Sequence, residues 1–216
     1  TAVSSDLINF STINVSDGFG ITDIGYNNGD WVAIGQRIYT TAYGPYSANT
    51  EVSQIYRSPS VSGPWEMIWS HPNNNSRLHQ LKWFNYGGIG TWIACGEINS
   101  QGDAWYSLDD GATWTQIQIP SNIPRIISVE QVNLNGNEYL YWGCNGAVYR
   151  STSLIDQNWT QLSINPIDTV TDIISDNNSL IIAATNRLYT SQDGFYLKTW
   201  DFPGYKFDRI TKIDNN

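Results

Sequence analysis

Apolar residues along this chain come in short runs that recur with the spacing of strands. Four of the runs are nearly continuous: Trp31-Val32-Ala33-Ile34-Gly35, Trp92-Ile93-Ala94-Cys95-Gly96, Tyr139 to Cys144, and Leu180 to Ala184. Ahead of each lies a more alternating segment: Ile21 to Tyr26, Leu78 to Phe84, Ile127 to Val132, and Val170 to Ile174. Turn residues separate the members of each pair, at Asn27-Asn28-Gly29, Tyr86-Gly87-Gly88, Asn135-Gly136-Asn137 and Asp176-Asn177-Asn178. Asn-Gly and Gly-Gly between two such runs predict β-hairpins. No stretch longer than a turn or two repeats its apolar residues every 3.6 positions, which predicts almost no helix.

A second pattern follows each pair. Ser107-Leu108-Asp109-Asp110-Gly111-Ala112-Thr113-Trp114 reads Ser-x-Asp-x-Gly-x-x-Trp. Short Ser and Asp side chains hydrogen-bond nearby amides and hold a tight turn. Gly supplies a positive φ, and Trp opens the return strand with its ring over the hairpin. Eroded copies occur at Ser58, Gly63 and Trp65, with Ser60 in the Asp position; at Ser151 and Trp159, with one extra residue; and at Ser191, Asp193, Gly194 and Trp200, with two extra. Tyr56, Tyr149 and Tyr189 stand two residues before three of these serines, and Trp105 before the fourth. The serines lie roughly 40–49 residues apart, a spacing suited to β-propeller blades. The motif resembles the Asp-box, a hairpin found on the blades of certain β-propellers.

The expected fold is therefore all-β, a β-propeller of four-stranded antiparallel blades with Asp-box hairpins. Blades fall at about 17–68, 69–119, 120–164 and 165–202, with partial blades at 1–16 and 203–216. Leu7 to Val15 reads as an outermost strand, with Phe10 in the place of the box Trp, and Phe207 to Ile213 as an innermost strand. Joined, these pieces lack both middle strands of a blade, and the expectation is a segment of a longer polypeptide.

Composition narrows the chemistry. Only 14% of residues are charged, 40% are hydrophobic, and there are 10 Trp and 13 Tyr. A net charge of −9 makes nucleic acid and anionic membrane poor partners. No apolar run has the length of a membrane-spanning helix. Cys95 and Cys144 fall in second strands of neighbouring blades; buried free thiols are the first reading, a disulfide across the blade interface the second. Neither the cysteines nor the histidines have zinc-site spacing, and no cofactor is implied. His71 and His79 are the only histidines, a thin basis for a Ser-His-Asp triad. Asp103, Asp109, Asp110 and Glu97 cluster by the second box, where turn-holding accounts for Asp109 and Asp110.

The hairpin also resembles that of sialidases, which implies an early Arg-Ile-Pro motif, three converging arginines and a Tyr/Glu pair. The motif is absent; Ile123-Pro124-Arg125 only permutes its letters, and Arg57 and Arg150 share one repeat position that suits blade packing. A non-enzymatic role is expected, with a glycan-hydrolysing propeller as the competing class. Ile24 to Gly35 and the repeat type resemble propeller repeats of phage tail or appendage proteins, and more distantly photosystem II assembly-factor-like proteins. The phage resemblance implies a virion structural protein of a tail fibre, spike or neck appendage. Its partners would be other virion proteins or copies of itself, and a host-surface glycan. The alternative location is extracellular or lumenal. Sequons at Asn14, Asn74, Asn158 and Asn177 are chance matches in an Asn/Ser-rich chain on this reading. Gln36 to Ser53 reads as a long loop carrying Tyr39, Tyr43 and Tyr46 among small polar residues. That composition suits adaptable contacts, so the loop is the candidate recognition element; the alternative is cover for a blade edge or packing on a neighbouring virion subunit.

Overall fold

Each alternating run pairs with the apolar run that follows it. The structure, a computed structural model, describes residues 2–3, 11–12, 15, 18–43, 46–155, 158–176 and 179–211. In chain order β1 (Ala2–Val3) and β2 (Ser11–Thr12) form a small antiparallel pair. Sheet 1 holds β3 (Phe19–Asn27), β4 (Asp30–Tyr43), β5 (Tyr46–Ser58) and β6 (Glu66–Ser70). Sheet 2 holds β7 (Ser76–Tyr86), β8 (Ile89–Ile98), β9 (Gln101–Ser107) and β10 (Thr115–Gln116). Sheet 3 holds β11 (Ile126–Leu134), β12 (Asn137–Cys144), β13 (Ala147–Ser151) and β14 (Thr160–Leu162). Sheet 4 holds β15 (Val170–Asp176), β16 (Ser179–Ala184), β17 (Arg187–Ser191) and β18 (Lys198–Asp201). Every one of the four is antiparallel with its strands in sequence order, and the described residues contain no helix. Asn28 and Gly29 (φ 49° and 92°) and Asn135 and Gly136 (φ 55° and 83°) close two of the first hairpins. Positive φ at both central residues matches the twist of the flanking strands.

The first strands touch in succession, β3 with β7, β7 with β11, and β11 with β15. The sheets thus radiate from a shared axis, and the hydrophobic core is divided among the interfaces between them. Val32, Ile34 and Ile55 meet Trp92, Ala94 and Trp114 between sheets 1 and 2. Ile93 and Cys95 meet Trp142 and Cys144 between sheets 2 and 3. Tyr141 and Val148 meet Ile173 and Ile182 between sheets 3 and 4. A middle strand thus buries successive residues on opposite faces, which is why β8 and β12 are apolar at almost every position. Cys95 and Cys144 share one cluster as free thiols, so the disulfide reading falls. Burial pushes the Cys144 thiol up to about 12 and that of Cys95 up as well.

All four first strands carry a bulge at the same place, between Ile21 and Asp23, Leu78 and Gln80, Ile126 and Ser128, and Val170 and Asp172. Gly96 faces one of them, and a Cβ there would lie 1.8 Å from the carbonyl oxygen of Arg77. Gly96→Ala is therefore expected to cost roughly 3 kcal/mol or more, because backbone rather than a movable side chain stands in the way. An unchanged urea midpoint would contradict this.

Two expectations need correction. Gln36 to Ser53 is not a loop: β4 and β5 stay paired out to Tyr43 and Tyr46. Thr, Tyr, Ile and Val sustain strand geometry although consecutive Ile38, Tyr39 and Thr40 are all exposed and show no alternation. Residues 44–45 lie outside the described residues, as do the side chains of Tyr43 and Tyr46. At the other site, the N-terminal piece supplies two strands, not one, since Ala2 pairs with Thr12 and Val3 with Ser11. Phe10 and Ile213 lie outside the described residues.

Candidate functional site

The bulges aim four polar side chains at the axis: Asp23, Gln80, Ser128 and Asp172. Each accepts a hydrogen bond from a backbone amide of the next segment around the ring. Leu81 N donates to Asp23 Oδ2 (3.0 Å), Val129 N to Gln80 Oε1 (2.7 Å), Ile173 N to Ser128 Oγ (3.0 Å) and Ile210 N to Asp172 Oδ2 (3.2 Å). Gln80 Nε2 and Ser128 Oγ also donate to Asp172 Oδ1, at 3.1 and 3.2 Å. Gln80, Ser128 and Asp172 are buried. This girdle is a set of acceptors engaged by the protein's own donors. Farther along the axis Lys82 Nζ donates to Glu130 Oε2 (2.5 Å) and to the Ile173 carbonyl (3.2 Å), while Ser175 Oγ donates to Glu130 Oε1 (3.1 Å).

Sequence reasoning missed the girdle. Its only trace is a polar residue followed by an apolar one near the start of each alternating run: Asp23-Ile24, Gln80-Leu81, Ser128-Val129 and Asp172-Ile173.

An open basin of about 410 Å³ lies on the face formed by the second-to-third strand turns and the connections between sheets. Glu51, Asn75, Arg77, Glu97, Asn99, Ser100 and Arg125 line it. Arg77 grips Glu51 with two hydrogen bonds, from Nε to Oε2 and from Nη2 to Oε1 (2.8 Å). These bonds hold the Glu51 carboxyl below the ordinary carboxylate range. Glu97 is buried, and His79 Nε2 stands 3.4 Å from its Oε1 without hydrogen-bond alignment. Arg125 Nε is buried and donates to no protein group. Two cations, two anions and three neutral polar residues thus surround one space, with a buried donor left over.

Burial holds the His79 imidazole below its usual value; Arg125 and Arg77 push the same way, and Glu97 opposes them. A lowered folded-state pKa means that the unfolded chain binds the proton first. Stability is therefore expected to fall as pH drops below about 6.5, and His79→Gln should flatten that part of the profile. Melting temperatures of both proteins between pH 8 and pH 5 test this; parallel profiles would contradict it.

His71, in the connection between β6 and β7, is buried against Trp69 and Trp105 at the interface of sheets 1 and 2. Asn73 N donates to its Nδ1 (2.9 Å), leaving Nε2 to donate to Asp103 Oδ2 (3.0 Å). Trp105 Nε1 and Gln116 Nε2 complete the Asp103 carboxylate, at 2.8 and 3.0 Å. Both ring nitrogens are engaged, so this His-Asp pair has no nitrogen left to activate a serine.

The four corners between third and fourth strands lie at the opposite end of the blades from the basin. In the intact box, Ser107 Oγ donates to Asp109 Oδ1 (2.8 Å) and accepts from Gly111 N (2.8 Å). Thr113 N donates to Asp109 Oδ1 (2.8 Å) and Trp114 Nε1 to the Gly111 carbonyl (3.0 Å). Burial raises the Asp109 carboxyl, but the bonds from Thr113 and Ser107 outweigh it and leave it below its usual value. Ser191, Asp193 and Gly194 repeat the arrangement, with Ser191 Oγ 3.0 Å from Asp193 Oδ1 and Gly194 N 2.9 Å from Ser191 Oγ. Trp200 does not close that corner. It sits 45% exposed on β18, paired with Leu188, because this box is one residue shorter and Leu197 packs inward instead. Ser151 Oγ accepts from Trp142 Nε1 (2.9 Å), and Trp159 stacks on Trp142 with 4.9 Å between centroids. Ser58 Oγ donates to the Ser60 carbonyl (2.7 Å), Gly63 takes φ 93°, and the buried Trp65 Nε1 finds no partner.

The hairpin of β4 and β5 rises from the basin's rim, since Glu51 lies in both. Tyr39 is 42% exposed, with its hydroxyl 3.4 Å from Gln54 Nε2 and the Arg37 guanidinium 5.4 Å from its ring centre.

No protein-family model and no curated protein sequence matches the chain. Solved structures do resemble it in shape. A luciferin-regenerating enzyme superposes with a TM-score of 0.59 at 14% identity, covering 93% of this chain and 68% of its own. The family GH93 α-L-arabinofuranosidase of Fusarium graminearum gives 0.54 at 12% identity, over 85% of this chain and 63% of the enzyme. A chain of the nidogen/laminin complex gives 0.54 at 9% identity, over 85% and 81%. The chain is a β-propeller. Its four sheets are complete blades, and at these identities the likeness shows the fold alone.

Proposed function

We propose that this propeller is a non-catalytic recognition module of a virion appendage, and that it binds a neutral glycan of the host surface in the basin around Arg125. The observation that carries this reading is the buried, unpartnered Arg125 Nε within a ring of matched charges and amides. A sugar hydroxyl would pair with the Arg125 guanidinium that lines the basin, while other hydroxyls reach Glu97, Asn75 and Asn99. Equal numbers of Arg and Glu favour an uncharged, polyhydroxylated ligand over an anion. The exposed Tyr39 on the hairpin above supplies a ring face for stacking. Low charge and abundant Asn and Ser, with the phage-like repeats, support the virion setting.

The competing reading is a glycan hydrolase, and the shape likeness to an arabinofuranosidase favours keeping it in view. Hydrolysis needs one carboxyl poised to give a proton and another to act as base or nucleophile. Glu51 is gripped by Arg77 and held acidic, which suits neither delivery of a proton nor free approach to a sugar. A glycan array with the chain and with Arg125→Met tests the proposal. Binding lost at least tenfold in the variant, with its melting temperature kept, is the expected result; binding unaffected by Arg125→Met, or no glycan bound, would refute it.

A further inference from the structure

Each first-strand bulge leaves one residue out of the ladder: Thr22, His79, Ile127 and Thr171. In blade 4 that residue turns to the second strand of its own blade, where Thr171 Oγ1 donates to the Ala183 carbonyl (3.3 Å). In blade 2 His79 turns the same way and meets Glu97 on β8, with Nε2 3.4 Å from Oε1. His79 is the one titratable group in the set of four. Its Nε2 is buried and has no hydrogen-bond partner. Glu97 is a wall of the basin, and His79 stands behind it.

Three charged groups bear on the imidazole: Glu97 from β8, Arg125 from the connection entering β11, and Arg77 from two residues earlier on β7. With His79 neutral, Arg77 and Arg125 balance Glu51 and Glu97 around the basin. A proton on His79 changes two things at once. The imidazolium carries a hydrogen on both ring nitrogens, so Nε2 becomes a donor whichever tautomer preceded it. From 3.4 Å a small turn of either side chain makes a charged hydrogen bond to Glu97, a stronger partner for that carboxylate than a sugar hydroxyl. The cluster also gains a third cation, and the basin is no longer balanced. Burial first, then Arg125 and Arg77, hold the imidazole below its ordinary value against the pull of Glu97, so this change falls on the acid side of about 6.5. Glu51 stays ionised through that window, because the bonds from Arg77 hold its carboxyl below the usual range.

We infer that His79 and Glu97 form an acid-operated release switch for the basin: a neutral imidazole leaves Glu97 free to accept from a bound sugar, and a protonated one takes that carboxylate and displaces the ligand. The inference rests on the glycan reading of the basin and adds its regulation. Ligand and proton compete for one carboxylate, so each weakens the binding of the other by the same factor. Affinity therefore falls by up to about tenfold for each pH unit below the point of half protonation.

The test is an array of neutral oligosaccharides ending in glucose, galactose or rhamnose, probed at pH 7.5 and pH 5 with the native chain and with His79→Gln. For the native chain the expected result is binding at pH 7.5 that weakens about threefold or more at pH 5. For His79→Gln it is native-like binding at pH 7.5, kept within about twofold at pH 5. Native binding of equal strength at both pH values overturns the switch and leaves the glycan reading standing. An equal loss in both proteins does the same, since the titrating group is then not His79. No binding by the native chain at pH 7.5 overturns the glycan reading, and the switch with it. If His79→Gln does not fold, the signals of the two histidines of the native chain are followed by NMR with and without the oligosaccharide it binds. A midpoint moved to lower pH by the sugar supports the switch, and two unmoved midpoints overturn it.

Discussion

Asp172→Ala is expected to lower the unfolding free energy by about 3–5 kcal/mol, the cost of breaking a buried polar network at one member. The substitution removes the acceptor for Gln80 Nε2, Ser128 Oγ and Ile210 N together. Gln80 and Ser128 are buried, so water cannot readily replace it. Asp172→Asn keeps the shape and one carbonyl, and its loss should be smaller, about 1–2 kcal/mol. Urea denaturation monitored by tryptophan fluorescence separates the two. Equal and small losses for both variants would mean that the girdle is decoration on an already stable ring.

Trp142→Ala should cost a comparable amount, about 3–5 kcal/mol. Trp142 is fully buried between blades 2 and 3, and Trp159 stacks against it. Its indole nitrogen also donates to Ser151 Oγ, which is buried and would lose that partner. The cavity opens in the middle of an interface, where strands on both sides are held by their own ladders and cannot collapse inward. Calorimetry would show a melting temperature lowered by several degrees; a shift near zero would indicate that the interface repacks.

These two sites differ in how far the sequence announced them. Trp142 lies in an apolar run whose period is visible at once, and the interface clusters follow from runs such as Trp92 to Gly96. The intact box at Ser107 to Trp114 was legible because its bonds are local, within a few residues. The girdle was not, because each of its bonds joins residues in different blades and the bulges that aim them leave no mark in composition. The hairpin of β4 and β5 was misread for a related reason. Ile38 and Tyr39 are consecutive and both exposed, so no alternation of buried and exposed positions marks the strand there. Trp200 was misplaced because spacing alone matched it to the box, when deletion of one residue had handed that place to Leu197. The basin draws Glu51, Arg77, Glu97 and Arg125 from three blades, and no linear motif connects them.

What the geometry offers for function is therefore an axial girdle of hydrogen-bonded side chains, a charged but balanced basin on one face, and turn-holding carboxylates on the other. Recognition without chemistry is the claim that most needs testing. A glycan bound on the array should be incubated with stoichiometric protein and then examined by mass spectrometry. The account predicts a glycan recovered with its mass unchanged. A product cleaved by addition of water, and absent when Glu97→Gln replaces the native chain, would contradict it.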